Sequence, residues 1–273
     1  MSEQFRKKKQ YGQNFLTNPA IPQRIVKESG IDETCGVLEI GPGLGALTLQ
    51  LAPVAAKIVA VEIDHELIEP LTEIFAPHPH ITLVENDIMK VDLEPLLKEQ
   101  FGDMPVCVCA NLPYYITTPI LMKLLEGKYG FRSITVMVQK EVAERLCSKS
   151  GQEGYGAITA SIGYYASVKR LFTVTAGNFS PKPKVDSAVV RLDLYTRPPF
   201  QVDDEALFFD VIKAAFLQRR KTLSNALASY FPFLTKEGVG DLLEELGLRR
   251  DARGEMLTPE QFALIANNIE KKK

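Results

Sequence analysis

Asn111-Leu112-Pro113-Tyr114 is a run whose residue types suit one kind of chemistry. An amino group conjugated to a heteroaromatic ring is a poor nucleophile, because its lone pair is delocalised into the ring. The side-chain oxygen of Asn111 and the backbone carbonyl of Leu112 can accept its two N–H bonds and favour a pyramidal nitrogen. Pro113 fixes the direction of the carbonyl, and the Tyr114 ring offers a face on which a base stacks. A pocket of this kind serves alkylation of a nucleobase amine by a strong donor, where positioning and desolvation carry the acceleration and no strong general base is required. The histidines agree: His65, His78 and His80 stand at a helix start or in Pro-rich turns, contexts of solvated side chains. A base drawn out of a duplex needs a second aromatic face. Phe179 is expected to provide it, in a loop stiffened by Pro181 and Pro183 whose Lys182 and Lys184 are placed to meet phosphates.

A second constellation reads as a cofactor site. Glu39-Ile40-Gly41-Pro42-Gly43-Leu44-Gly45-Ala46 follows a strand-like run and opens a helical one, so glycines let the backbone turn tightly and approach a ligand. Glu62 stands twenty-one positions after Gly41, at the end of the next apolar run, where an acid accepts hydrogen bonds from both hydroxyls of a ribose. These two features fit NAD and S-adenosylmethionine equally. Asp87 closes the third strand-like run, placed to accept an adenine amino group, and Asn111 closes the fourth. Each has an ordinary alternative, Asp87 as a turn cap and Asn111 with Tyr114 as loop-shaping residues. Four such residues at four successive strand ends nevertheless line one crevice in an open α/β sheet.

The elements that must position them are legible in the hydrophobic pattern. Residues 36–40, 57–61, 81–84, 106–110 and 134–138 read as strands, alternating with amphipathic stretches at 44–51, 66–75, 93–100, 119–125 and 140–147. After a helix at 156–165, strands at 171–175 and 188–195 could close the sheet as a hairpin, giving seven. The fold class is therefore α/β, Rossmann-like, with a mostly parallel sheet. Pro198 and Pro199 cannot extend helix or sheet, which places a boundary there. The expected domains are 1–197, with a basic segment at 1–20, and an all-helical 198–273 with helices at 203–229, 236–246 and 259–271. Thr258-Pro259-Glu260-Gln261 is a cap-plus-proline start.

Across 273 residues, 45% of them hydrophobic, no apolar run is long enough to span a membrane and the polar N-terminus lacks a secretory core, so a cytoplasmic protein is expected. Cys35, Cys107, Cys109 and Cys147 form no C-x-x-C pair and read as small hydrophobes, with no metal site. A net charge of −2 is unusual for a nucleic-acid binder, but the cations are clustered: Arg6 with Lys7, Lys8 and Lys9; Lys182 and Lys184; Arg219, Arg220 and Lys221, on a helix; and Arg249, Arg250 and Arg253. That clustering suggests a one-sided basic surface for RNA.

Five segments together resemble the KsgA family of ribosomal RNA adenine dimethyltransferases over nearly the whole chain. They are residues 11–16, 39–43, 111–114, 179–187 and 218–221. The resemblance implies S-adenosylmethionine as cofactor, with contacts from Asn14, Leu16, Gly41, Glu62, Asp87 and Asn111. The residue pattern itself gives no account of Asn14 or Leu16. It implies as substrate two adjacent adenines in a hairpin near the 3′ end of small-subunit rRNA, each dimethylated within an immature small subunit by a monomeric enzyme whose helical domain docks there through Arg219, Arg220 and Lys221. Competing readings are a large-subunit rRNA adenine methyltransferase of the antibiotic-resistance type, an assembly factor whose main role is binding, and an NAD dehydrogenase. The last lacks a hydride-transfer acid near the crevice.

Overall fold

The computed structural model describes residues 14–269; Lys7, Lys8 and Lys9 lie outside them. The chain opens with β1 (Phe15–Leu16) and α1 (Ala20–Ser29), then alternates β2 (Gly36–Ile40), α2 (Thr48–Leu51), β3 (Lys57–Glu62), α3 (His65–Phe75), β4 (Ile81–Glu85) and α4 (Leu93–Phe101). It continues through β5 (Val106–Asn111), α5 (Thr117–Glu126), β6 (Ser133–Gln139), α6 (Lys140–Leu146), α7 (Ala157–Tyr165), β7 (Ala166–Val174), β8 (Phe179–Ser180) and β9 (Ser187–Leu194). Four helices follow: α8 (Glu205–Leu217), α9 (Leu223–Tyr230), α10 (Lys236–Glu245) and α11 (Pro259–Ile269).

Seven strands form one sheet in the order β4-β3-β2-β5-β6-β9-β7. The first five run parallel, and β9 returns antiparallel beside β6. The central strand β2 is buried at every position, its one acid Glu39 included, as a strand covered on both faces requires. From β2 the chain winds outward through β3 and β4, then crosses back to β5 on the other side of β2. Neighbouring connections therefore leave β2 and β5 in opposite directions, and a crevice opens at their carboxyl ends. On one face α1 and α2 deliver Ile25, Val26 and Leu51 to Val37, Cys107, Cys109 and Val189. The cysteines at 35, 107 and 109 are core residues, and burial raises the thiols of Cys107, to about 11, and of Cys109.

Two features of this unit were not expected. The glycine loop delays its helix: α2 is regular only over Thr48–Leu51, because Gly45 has φ +78° and ends the turn closed by its N–H on Pro42. The two-residue strands β1 and β8 pair antiparallel, Leu16 opposite Phe179. Asn178 reinforces that pairing, accepting from the Thr17 N–H at 2.9 Å and from the Asn18 side chain at 2.9 Å.

The chain divides into two units, residues 1–143 with 168–194, and 144–167 with 195–273. Relative to the expected split at 197, the stretch 144–167 joins the helical unit. The reason lies in α7, which buries Thr159, Ala160, Ser161, Ile162, Tyr164 and Tyr165, too wide an apolar surface for one neighbour; it packs on α8 and α11. Tyr165 stacks on Phe209 with ring centroids 5.6 Å apart, and Phe208 and Phe262 are fully buried. Asp204 caps α8 through the Leu207 N–H, and Thr258 and Gln261 form the reciprocal capping box that starts α11. The expected helix at 203–229 is broken between α8 and α9. Arg219, Arg220 and Lys221 thus lie in an exposed turn and not on a helix. Thr222, extended at ψ 155°, accepts from Asn225 at 2.7 Å and restarts the chain as α9.

Candidate active site

A crevice open to solvent lies at the carboxyl ends of β2 to β5, with about 1090 Å³ of space in and above it. Asn14, Leu16, Gly41, Glu62, Asp87, Asn111, Leu112, Pro113 and Tyr114 all line it. Gly41 and Gly43 have φ of +67° and +59°, a conformation that side chains disfavour. A Cβ on Gly41 would meet nothing within 4 Å, so the space above that residue is open; one on Gly43 would press on the Phe15 ring at 3.2 Å. The loop thus forms a cradle with an empty floor at its first glycine.

The two acids are held differently from the way their spacing suggests. Glu62 is 3% exposed, and its carboxylate already accepts from the backbone N–H groups of Gly43 (3.2 Å), Ile63 and Asp64 (both 2.9 Å). A carboxylate has about four lone-pair sites, so with three backbone N–H groups bound one remains open on Oε2. Burial raises the Glu62 pKa, with the three N–H bonds opposing it. Asp87 does cap its turn, accepting from the Met89 N–H at 2.9 Å through Oδ1; its Oδ2 lies 3.9 Å from the Lys90 ammonium, and the residue lines the cavity.

Asn111 ends β5 opposite Met137 of β6. Its Nδ2 donates to the backbone carbonyl of Asn14 at 3.3 Å. Only the amino end of an amide can donate to a carbonyl, so this contact orients the side chain and leaves Oδ1 as an open acceptor. The Leu112 N–H is spent on Met137 at 3.2 Å, while its carbonyl accepts no hydrogen bond among the described residues. Pro113 in turn accepts from the Ile116 N–H at 3.3 Å and the Thr117 hydroxyl at 3.0 Å, which pins the turn that carries both acceptors. The Tyr114 hydroxyl pairs with Ser187 Oγ at 2.6 Å, and burial raises its pKa above the ordinary phenol value, so it remains neutral. Asn14, silent in the sequence, thus acquires a role from a contact ninety-seven residues away.

Two expectations are corrected, those for Phe179 and His80, and one acid is added. Phe179 does not reach the cavity: it is 4% exposed, in a core cluster with Ile25, Leu47, Val174 and Val189, because β8 pins it against Leu16 of β1. Glu39, quoted in the sequence only as part of the glycine motif, is a cavity-lining acid buried at 1% exposure, and its Oε2 and the neighbouring Thr48 hydroxyl lack partners among the described residues. Burial raises its pKa to about 8, so it is mainly protonated at neutral pH. His80 is half-buried, bonded to the Ala52 carbonyl at 2.9 Å, whereas His65 is exposed beside Glu85. Lys182 and Lys184 are exposed on the loop between β8 and β9. Among the described residues no group of acids, histidines and cysteines could hold a metal ion, and no helix is long and apolar enough to cross a membrane.

Comparison with known proteins agrees with this geometry. The chain is 46% identical over 266 residues to the ribosomal RNA small subunit methyltransferase A of Bacillus mycoides, covering 96% of this chain and 91% of that one, and equally to that of Bacillus cereus. Its fold superimposes on a dimethyladenosine transferase from Plasmodium falciparum with a TM-score of 0.79 at 26% identity, covering 94% and 98% of the two chains. The 23S rRNA methyltransferase ErmE matches with a TM-score of 0.73 at 25% identity, over 94% and 100%. The family model for ribosomal RNA adenine dimethylase matches residues 4–271, and the chain belongs to that family.

Proposed function

We propose that this enzyme, an S-adenosylmethionine-dependent rRNA adenine methyltransferase, dimethylates N6 of two adjacent adenines in a hairpin near the 3′ end of small-subunit rRNA. It acts as a cytoplasmic monomer on an immature small subunit. The observation that carries this reading is the oriented amide of Asn111: with Nδ2 committed to Asn14, Oδ1 and the Leu112 carbonyl are two fixed acceptors, the number an exocyclic NH₂ requires. The small-subunit target is supported by the relatives at 46% identity, named for that subunit.

When bound, the cofactor supplies a methyl group on a positively charged sulfur. Open space at Gly41, the remaining Glu62 lone pair and the Asp87 carboxylate fit its uncharged nucleoside part, and Asn14 and Leu16 complete the wall. Asn111 Oδ1 and the Leu112 carbonyl each take one N–H of the adenine, turning the nitrogen lone pair out of conjugation. After transfer the nitrogen sheds one proton to solvent, with no base needed beyond water. Tyr114 gives the base its stacking face, and Leu112, Ile120 and Leu47 exclude water. After the first methylation one N–H remains for one acceptor, so a second turnover is compatible with the same clamp. Lys182, Lys184, Arg219, Arg220 and Lys221 serve as phosphate contacts, with Lys7, Lys8 and Lys9 in the same role.

A second reading, methylation of large-subunit rRNA, is favoured by the likeness to ErmE. Incubating the enzyme with isotopically labelled cofactor and both rRNAs, followed by mass spectrometry of nuclease digests, separates the two. Dimethyladenosine in the small-subunit RNA alone is expected; label only in the large-subunit RNA overturns the proposal.

Two substitutions test the parts. Gly41→Ala fills the open cradle and forces a left-handed residue, so calorimetry should show cofactor affinity at least about tenfold weaker, with roughly 1–2 kcal/mol lost in stability. Unchanged affinity would place the cofactor elsewhere. Ser187→Ala removes the tether on the Tyr114 hydroxyl, worth about 1 kcal/mol. Steady-state kinetics should show a several-fold rise in KM for RNA with cofactor affinity unaltered, and an unaltered KM would mean that the tether does not position the ring.

A further inference from the structure

Tyr115 lines the mouth of the cavity, yet its side chain is 62% exposed and has no hydrogen-bond partner among the described residues. It is one of two consecutive tyrosines that the chain treats in opposite ways. Tyr114 turns inward and spends its hydroxyl on Ser187, whereas Tyr115 leaves its ring to solvent. The turn beneath both is pinned by the bonds that Ile116 and Thr117 make to the Pro113 carbonyl. A large aromatic side chain on such a support has only two rotatable angles to lose on stacking, so it is a preorganised platform. The same turn is tied through Ser187 to the loop that carries the exposed cations Lys182 and Lys184. Cations for a backbone and an exposed ring for a base are the two components of a single-strand binding track.

We propose that Tyr115 forms a stacking subsite for the nucleobase next to the target adenine in the RNA strand. The inference rests on the reading of Tyr114 as the target's stacking face. With the target in the cavity, its neighbour in the strand lies at the mouth, where the ring of Tyr115 stands. Because every base has a π-face, the subsite accepts a base of any type and favours strands unpaired at that neighbour. It supplies affinity and register for the strand and takes no part in the transfer step.

The test uses small-subunit particles assembled on rRNA carrying 2-aminopurine at the neighbour of the target adenine, and methylation of the target adenine is followed in particles without the probe. Tyr115→Phe keeps the ring and should match the wild type. Tyr115→Ala should weaken RNA binding roughly tenfold, leave cofactor affinity unaltered, and abolish the stacking-dependent quenching of the neighbour probe. If the wild-type enzyme methylates the target adenine but the neighbour probe and RNA affinity are indifferent to Tyr115→Ala, the subsite is overturned alone. A target adenine that is never methylated overturns the reading of the target pocket and the subsite together.

Discussion

Asn111→Ala lowers kcat about 10²- to 10³-fold, the usual loss when one preorganised polar contact to a reacting group is removed. The change deletes the Oδ1 acceptor and the Nδ2 bond to Asn14 together. One N–H of the adenine then has no partner in a cavity walled by Leu112 and Ile120, and the lone pair stays conjugated. Because the effect arises as the nitrogen pyramidalises, it should exceed any change in cofactor affinity measured by calorimetry on the same variant. Asn111→Asp separates the two functions of the side chain. A carboxylate keeps an acceptor but sets an oxygen against the Asn14 carbonyl, so it should lose most of the activity as well. Single-turnover kinetics within tenfold of the wild type for the alanine variant would remove the amide clamp from the mechanism.

Glu39→Gln stabilises the protein at high pH. Burial lifts the Glu39 carboxyl from 4.5 to about 8, and the nearby charge of Glu62 adds to the lift. The folded chain therefore holds a proton that the unfolded chain releases between these values. Stability that is full below pH 4.5 falls as pH rises through that window and levels off above about 8. The accumulated cost approaches about 5 kcal/mol, at roughly 1.4 kcal/mol for each unit. Glutamine has the same shape and does not titrate, so denaturant unfolding should find the two proteins alike near pH 4.5 and the variant several kcal/mol more stable at pH 8. Parallel stability curves across that range would show that Glu39 is ionised in the native state.

Much of the site was legible because it is built from local signals. Gly41, Glu62, Asp87 and Asn111 each follow an apolar run, and once those runs are parallel strands their ends share one edge of the sheet. The cap-plus-proline start at Thr258 is equally local, and the structure adds the reciprocal bond to Gln261. The break after Leu217 was not legible, since apolar periodicity runs on through a turn that Thr222 and its bond from Asn225 impose. The reach of the helical unit back to residue 144 depends on the partners α7 finds in α8 and α11, which no window of sequence contains.

Sequence by itself determined the sheet, the glycine cradle and the residue types at the strand ends, because hydrophobic period and turn chemistry act over a few residues. Tertiary structure alone decided which lone pairs remain open. Three backbone N–H groups occupy Glu62, the Asn14 carbonyl fixes the Asn111 amide from ninety-seven residues away, and the pairing of β1 with β8 draws Phe179 into the core. Hydrogen-bond valence and burial are set by neighbours in space, and those neighbours exist only after the chain has closed on itself.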